Sequence, residues 1–210
     1  RVPVNSFLAL PAFGPAVAAG RARRGNAFQV EQFRAGDAGR AELESFIARA
    51  FKESYGAEVS HFCDVLLGCR DGQGNWIAAL GYTLAANGAA FLEQYLDAPI
   101  EAALGERVGH PVPRAEIVEV GNLASTHPGA ARALIVSTTR LLHGLGLRWV
   151  AFTATVSLLN SFTRLRLQPQ VLTAADPARL ADAGRCWGSY YDTQPKVMFG
   201  DIRYGYGQLS

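Results

Sequence analysis

Hydrophobic and polar positions alternate along this chain with two different periods, and together they predict a series of strands and helices. Residues 28–33, FQVEQF, follow the period of two that is typical of a strand. Residues 41–56, AELESFIARAFKESYG, place their apolar side chains at helical spacing and end at a glycine. DVLLGCRD and NWIAALGYTLA, on either side of the turn DGQGN, predict a β-hairpin. The pattern therefore begins with a strand, a helix and a hairpin.

The same two periods continue towards the C-terminus and indicate the fold class. After the hairpin the predicted order is helix, strand, helix, strand, helix, helical turn and two strands, at residues 97–105, 116–125, 131–146, 147–155, 157–167, 176–184 and 187–202. Asp97 is predicted to cap the first of these helices, and Gly105 to end it. Strands that alternate with helices predict an α/β protein whose mixed central sheet carries helices on both faces.

The first 27 residues contain an apolar stretch that differs from the rest of the chain. SFLALPAFGPAVAAG is interrupted by Pro11, Gly14 and Pro15, and it is shorter than the ~20 apolar residues that span a bilayer. It also lacks the basic flank that precedes an export signal. We therefore predict a loosely ordered N-terminal arm at residues 1–27, a single domain at residues 28–210, and no stable membrane insertion.

Composition and charge narrow the range of functions. The chain has 210 residues, of which 49% are hydrophobic and 18% charged, enough to bury a large core. Its 20 basic and 18 acidic residues give a net charge of +2, which is too balanced for a dedicated nucleic-acid-binding protein. Three cysteines show no metal-ligand spacing and favour packed thiols in a reducing compartment. We expect a cytoplasmic protein with no nucleic-acid partner and no metal site.

The stretch EIVEVGNLASTHPGAARALI, residues 116–135, carries the main candidate chemistry. Glu119 places a carboxylate inside an apolar strand that leads directly into a helix. The first N–H groups of a helix are unpaired and lie at the positive end of its dipole, and Gly129 with its small neighbours lets an anion approach them. A phosphate or pyrophosphate is therefore expected there. Glu119 itself is either a proton acceptor in a cleft or a buried acid paired with an arginine.

Several motifs after residue 28 resemble known families. Two strand-to-helix crossings in succession, with WVAFTAT followed by NSFTRLRLQP, resemble the GNAT superfamily of N-acetyltransferases. FLEQYLDAPIE, EVGNLAS followed by GAARAL, FTAT and the WGSYY tail look like the family named thermostable haemolysins, whose fold resembles that of the N-acyl-homoserine lactone synthases. The resemblance implies a GNAT-like fold, the acyl-CoA N-acyltransferase fold, with a mostly antiparallel central sheet.

This resemblance also implies roles for named residues. It makes Glu119 the catalytic base, with Asn122 as a second catalytic candidate. The residues implied to hold the donor thioester lie at the end of the strand, the start of the next helix and one helix further on: Leu123, Ser125, Gly129, Ala130, Ala131, Arg132 and Asn160. The residues implied to form the substrate pocket are Glu93, Tyr95, Phe152, Thr153 and Phe162.

Two of these assignments have alternatives. Glu93 and Tyr95 either line the acceptor pocket or cap and flank a helix. Phe162 stands where many acetyltransferases have a tyrosine that protonates the departing thiolate, and it has no proton to give. Tyr190 and Tyr191 are candidate substitutes for that tyrosine, or else they are half-buried packing residues.

The leading prediction of function is an acyltransferase similar to the autoinducer synthases. It would move an acyl chain, fatty in type, from acyl-carrier protein or coenzyme A to a small amine by direct attack with a carboxylate base. Acyl-CoA or acyl-phosphopantetheine would be a co-substrate, with no permanently bound cofactor. The alternatives are a membrane-active haemolysin, for which the sequence shows no amphipathic hairpin or basic amphipathic helix, and an inactive module that binds pantetheine.

Overall fold

The computed structural model describes residues 28–210, so the predicted arm at residues 1–27 lies outside the described residues. Within residues 28–210, seven strands form one sheet: β1 (Gln29–Arg34), β2 (Val65–Arg70), β3 (Trp76–Leu84), β4 (Ile117–Ser125), β5 (Trp149–Ala154), β6 (Gln170–Ala174) and β7 (Lys196–Asp201). Their spatial order is β1, β2, β3, β4, β5, β7, β6, and neighbours are antiparallel except for the parallel pair β4 and β5. The predicted mixed, mostly antiparallel sheet is confirmed.

In the described part of the chain, five helices cover the two faces of this sheet: α1 (Arg40–Tyr55), α2 (Ile100–Val108), α3 (Pro128–Gly144), α4 (Val156–Arg164) and α5 (Ile202–Leu209). Successive strand residues point to opposite faces, so that Leu66 packs with Leu43 and Ile47 of α1. The adjacent Leu67 packs instead with Leu134 of α3 on the other face. The helices on both faces that the sequence predicts are therefore present, and each face has its own apolar core.

The bounds of α2 differ from the prediction at both ends. The helix begins after Pro99, and Asp97, the predicted cap, pairs instead with Arg179 at 2.6 Å. It continues through Gly105, its predicted end, and stops at Gly109, whose φ of 79° is left-handed. Glycine adopts that conformation at little cost, so the later glycine is the better helix terminator.

The tail also departs from its predicted pattern. The first of the two strands predicted in residues 187–202 is replaced by 3-10 turns at Arg185–Trp187 and Tyr190–Thr193, because Gly184 and Gly188 have positive φ and interrupt an extended chain. The second predicted strand is β7. The sequence pattern missed β6, which has only five residues at the sheet edge, and α5, which contains two glycines.

The feature that positions the candidate site is a parting of β4 and β5. The two strands pair in parallel only as far as Val120 and Phe152. Beyond that point β4 continues against β3, where its register shifts by one extra residue, and Asn122 adopts a positive φ of 53°. Such a bulge bends a strand and increases its twist. As a result, β4 turns away from β5 and leaves a gap inside the sheet.

Candidate active site

The gap between β4 and β5 belongs to a cavity of about 710 Å³ that has lining residues on both faces of the sheet. On one face it is lined by α3, α4 and α5, a part that we name the donor arm. On the other face it is lined by α1 and by the segments around Phe91 and Trp187, a part that we name the acceptor arm. The cavity brings together most of the predicted site residues: Glu119, Asn122, Leu123, Ser125, Gly129, Ala131, Arg132, Tyr95, Phe152, Thr153 and Phe162.

Three predicted site residues do not line the cavity. Ala130 is fully buried in the apolar core beneath α3. Asn160 lies exposed on α4. Glu93 is turned away towards Arg114 and serves the local structure, which is the alternative that the sequence left open. The first two assignments stay predictions that the cavity does not support.

Glu119 lies on β4 immediately before Val120, the last β4 residue that pairs with β5. Its side chain is 9% exposed, and its two carboxylate oxygens accept hydrogen bonds from the backbone N–H groups of Phe91 (2.7 Å) and Leu92 (3.0 Å). Burial raises the pKa of the carboxyl to about 7, although those two hydrogen bonds favour the charged form. A buried carboxyl that titrates near neutral pH is suited to accept a proton in a reaction.

A second carboxylate, Glu93, has the opposite environment; it belongs to the 3-10 helix Phe91–Tyr95, whose first two N–H groups donate to Glu119. Glu93 accepts hydrogen bonds from the Arg114 guanidinium (2.7 Å) and from the N–H groups of Ala90 and Ile100. The guanidinium hydrogen bond is the main cause that lowers the pKa of Glu93 to about 2. Two nearby acids whose pKa values are moved in opposite directions have different roles. Glu93 is a fixed charge that holds the segment together, and Glu119 is the acid that can titrate.

These two pKa shifts predict opposite effects of pH on stability. Because the folded pKa of Glu93 lies below its ordinary 4.5, its contribution is present above about pH 4.5 and is lost as the pH falls towards about 2. Because the folded pKa of Glu119 lies above 4.5, its carboxyl favours folding at low pH, and that contribution is lost as the pH rises towards about 7. The melting temperatures of wild type and Glu93→Gln should therefore approach each other as the pH falls from about 4.5 to about 2. A constant difference from pH 2 to 7 would contradict this assignment.

Asn122, the second catalytic candidate, has both ends of its side-chain amide occupied. Its oxygen accepts from the N–H of Cys63 (2.8 Å), and its nitrogen donates to the carbonyl of His61 (3.1 Å). The side chain therefore ties the loop before β2 to the bulge in β4. Its catalytic role stays a prediction, and its observed contacts give it a positioning role.

The start of α3, where the sequence predicts anion binding, is partly covered by one side chain. His127 is the N-cap of α3, and its Nδ1 accepts from the N–H of Ala130 (3.3 Å). A Cβ added to Gly129 would lie 3.0 Å from Cε1 of the same ring. Ser125 donates to the carbonyl of His127 (2.7 Å) and fixes the turn. An anion that approaches this helix start therefore shares the space with the His127 ring.

The donor arm continues from this helix start into an apolar space. Phe152 and Phe162 pack edge to face with ring centroids 5.0 Å apart. Further lining comes from Leu142, Val150 and Ile202, which belong to α3, β5 and α5. The arm thus joins a helix start suited to phosphate with walls suited to a hydrocarbon chain.

The acceptor arm ends in a group of aromatic side chains that the sequence analysis did not bring together. We name as the aromatic chamber the cavity-lining residues Phe51, Tyr55, Phe91, Trp187, Tyr190 and Tyr191, whose neighbouring rings have centroids 5.2–6.4 Å apart. Tyr95 lies beside it, and its hydroxyl hydrogen-bonds to that of Tyr191. His61 stacks on Phe91 at 5.1 Å. The sequence feature that could have indicated the chamber is the three aromatic residues of WGSYY, residues 187–191. In the predicted strand their side chains would have pointed to two opposite faces.

Backbone contacts hold the chamber against α1. The N–H of Ser189 donates to the carbonyl of Tyr55 (2.8 Å), and the N–H of Glu58 donates to the carbonyl of Cys186 (2.7 Å). Gly188, between them, has φ 55° and ψ −128°, and a Cβ added there would overlap the carbonyl oxygen of Tyr55. The chamber therefore requires glycine at this position.

Within residues 28–210, no helix has both the length and the apolar character needed to span a bilayer. The same residues hold no cluster of three or more His, Cys, Asp or Glu side chains arranged to bind a metal ion.

A mostly antiparallel sheet that opens between two parallel central strands, with a cavity through the opening, defines the GNAT-like acyltransferase fold. The chain belongs to the thermostable hemolysin family, whose model matches residues 33–206. Both the family and the fold predicted from the sequence motifs are thus confirmed. No curated protein matches the sequence.

Solved structures share this fold at low sequence identity. The apo structure of TofI has a TM-score of 0.60 and 19% identity, covering 86% of this chain and 95% of that one. FeeM, an N-acyl amino acid synthase from uncultured soil microbes, has a TM-score of 0.59 and 12% identity, covering 87% and 94%. BjaI, a CoA-dependent acyl-homoserine lactone synthase solved with SAM and isopentyl-CoA, has a TM-score of 0.53 and 14% identity, covering 87% and 88%.

Proposed function

We propose that this protein is an acyltransferase that moves an acyl chain from an acyl-CoA or acyl-carrier-protein thioester to a small amine. The observation that carries the proposal is Glu119, a buried carboxyl with a pKa near 7 that lies where the donor and acceptor arms of one cavity meet. The BjaI structure, which holds an acyl-CoA and an amine-bearing molecule on the same fold, supports this choice of substrates.

The proposed reaction is a direct transfer. The amine enters as an ammonium ion with a pKa near ~10 and gives its proton to the Glu119 carboxylate, directly or through a water. Its nitrogen then attacks the thioester carbonyl carbon, the C–N bond forms and the C–S bond breaks. The second proton lost by the nitrogen passes to the departing thiolate, directly or through a water. The β5-facing side of β4 beyond Val120 has no strand partner, so its N–H groups can stabilise the negative charge on the carbonyl oxygen.

A covalent route through cysteine is disfavoured by the same environment. Cys63 lines the cavity and is 5% exposed, and burial, with a further contribution from the Glu119 charge, raises the pKa of its thiol to about 12. The thiol is therefore neutral at physiological pH, whereas the thiolate is the nucleophilic form. Direct attack by the amine is the route that these groups favour.

The proposed function is tested by following thiol release from acyl-CoA and from acyl-carrier protein, with and without a mixture of primary amines. We expect thiol release that depends on both protein and amine, together with an N-acyl product in the mass spectrum. Binding of neither donor, or binding without any amine-dependent release, would reject the proposal.

The donor site has its own prediction, based on Gly129 at the start of α3. Gly129→Asp places a negative charge where the phosphates of the donor are proposed to bind. Because like charges repel, we expect acyl-CoA affinity to fall by about 10-fold or more. Gly129→Ala is the matched control, because its Cβ meets the His127 ring in the same way but carries no charge. Calorimetric titration of both variants measures the difference. Equal affinities for the two variants would show that the phosphates of acyl-CoA do not bind at this helix start.

A further inference from the structure

The aromatic chamber and Glu119 both line the acceptor end of the cavity, and they are in contact with each other through Phe91. The Phe91 N–H donates to the Glu119 carboxylate at 2.7 Å, and the ring of the same residue packs against Trp187 at 6.0 Å. The carboxylate is therefore joined to the chamber through a single residue. Among the cavity-lining residues that the structure describes, the arginines Arg132 and Arg164 belong to α3 and α4 in the donor arm.

We propose that the acceptor is an amine that carries an aromatic body and no carboxylate, with the ring in the aromatic chamber and the nitrogen at Glu119. This inference rests on the proposed acyltransferase function and names the class of its second substrate. The electron-rich faces of Tyr and Trp attract an ammonium ion within about 6 Å of a ring centroid, and an aromatic substrate packs edge to face or offset against them. The ammonium group and the ring of such an amine can therefore both contact the aromatic side chains of the chamber.

A carboxylate on the acceptor would meet an unfavourable field in the same place. In an α-amino acid the carboxylate carbon is separated from the nitrogen by one carbon atom, so a nitrogen bound at Glu119 brings the two negative groups within a few ångströms. At that distance in a buried site like charges repel strongly. The N–H groups of Phe91 and Leu92, which could have bound an acceptor carboxylate, already donate to Glu119. The charge of Glu119 thus favours an acceptor that brings a positive group and no carboxylate to this place, whereas FeeM is named an N-acyl amino acid synthase.

Tyramine and tyrosine provide the direct test, since they differ only in the carboxylate. With a saturating thioester donor we expect kcat/KM for tyramine to exceed that for tyrosine by about 10-fold or more, by amine-dependent thiol release and mass spectrometry. Phenethylamine and phenylalanine form a second matched pair, with the same order expected. Ethylamine, which has no ring, should be poorer than phenethylamine by about 10-fold.

A pair of chamber variants tests the role of the ring faces. Trp187→Leu keeps apolar bulk but removes the π face, so the KM for tyramine should rise about 10-fold while the affinity for acyl-CoA is unchanged. Trp187→Phe retains a face and should show a smaller rise. Equal effects of the two variants on the KM would overturn the role of the ring face. Melting curves identify a variant that is unfolded, and the comparison of amines on the wild-type protein does not depend on either variant.

The outcomes separate this inference from the function on which it rests. Tyrosine used as well as tyramine, or ethylamine used as well as phenethylamine, would overturn the inference and leave the acyltransferase in place. Donor binding without acyl transfer to any amine would overturn the acyltransferase, and the inference with it.

Discussion

Replacement of Glu119 by glutamine is expected to lower kcat by about 10²- to 10⁴-fold, with acyl-CoA affinity changed by less than about twofold. Glutamine has the same size but cannot accept a proton from the ammonium ion. Wild-type kcat/KM should rise with pH through an apparent pKa near 7, where the buried carboxyl loses its proton. The variant should lack this rise and should partly recover at high pH, where the amine is already neutral.

The stability of the variant has to be measured on the same preparation. Glu119 accepts from two backbone N–H groups, and a glutamine offers one oxygen, so we expect a loss of about 1–3 kcal/mol in the free energy of unfolding. Rates are therefore compared well below the melting temperature. Glu93→Gln is the matched control, since it makes the same chemical change on the neighbouring acid that lies outside the cavity. A Glu119→Gln protein that is folded and fully active would show that Glu119 is not the catalytic base.

Substitution of Gly188 by alanine is expected to disrupt the aromatic chamber and to leave the donor arm intact. The added methyl group would overlap the carbonyl oxygen of Tyr55, and the backbone conformation of Gly188 is one that other residues rarely adopt. We expect a melting temperature lower by roughly 5–10 °C and a KM for the amine raised by about 10-fold or more. The affinity for acyl-CoA should stay close to that of wild type.

Gly207→Ala is the control for this substitution, because Gly207 lies in α5 and an added Cβ meets no atom there. Alanine in a helix is favoured over glycine by about 0.5–1 kcal/mol, so this variant should be slightly more stable than wild type. If Gly188→Ala behaved in the same way, the contact between the tail and α1 would have no part in forming the chamber.

The sequence allowed much of the donor side to be predicted, because that side depends on local patterns. The strand that contains Glu119 and the helix after it are contiguous in the chain, and both have strong periodicity. The apolar face of α1 and the hairpin between β2 and β3 were found for the same reason. The gap between β4 and β5 was not predicted, since no local pattern reports where two strands part.

Apart from Tyr95, the acceptor side was not predicted as a pocket, because it is formed by residues far apart in the chain. Tyr55 and Ser189 are separated by 134 positions and meet through backbone atoms, which leave no trace in side-chain periodicity. The sequence pattern places Gly188 and the tyrosines after it in a predicted strand, so it gives no sign of the turns found there. Glu93 was ambiguous because its partner, Arg114, lies 21 positions away and was not singled out by any motif.

The parting of β4 and β5 exposes two strand edges inside the molecule, which has a consequence for how the family can diverge. On an outer surface such edges attract other strands, but here they face each other beside α3 and α4, across a gap that belongs to the cavity. The pantetheine arm of the proposed donor carries amide groups that can pair with peptide N–H and C=O groups. If the donor pairs with main-chain groups, the side chains of β4 can be substituted without loss of that pairing. An insertion or deletion in β4 would instead shift the bulge and change which main-chain groups face the gap.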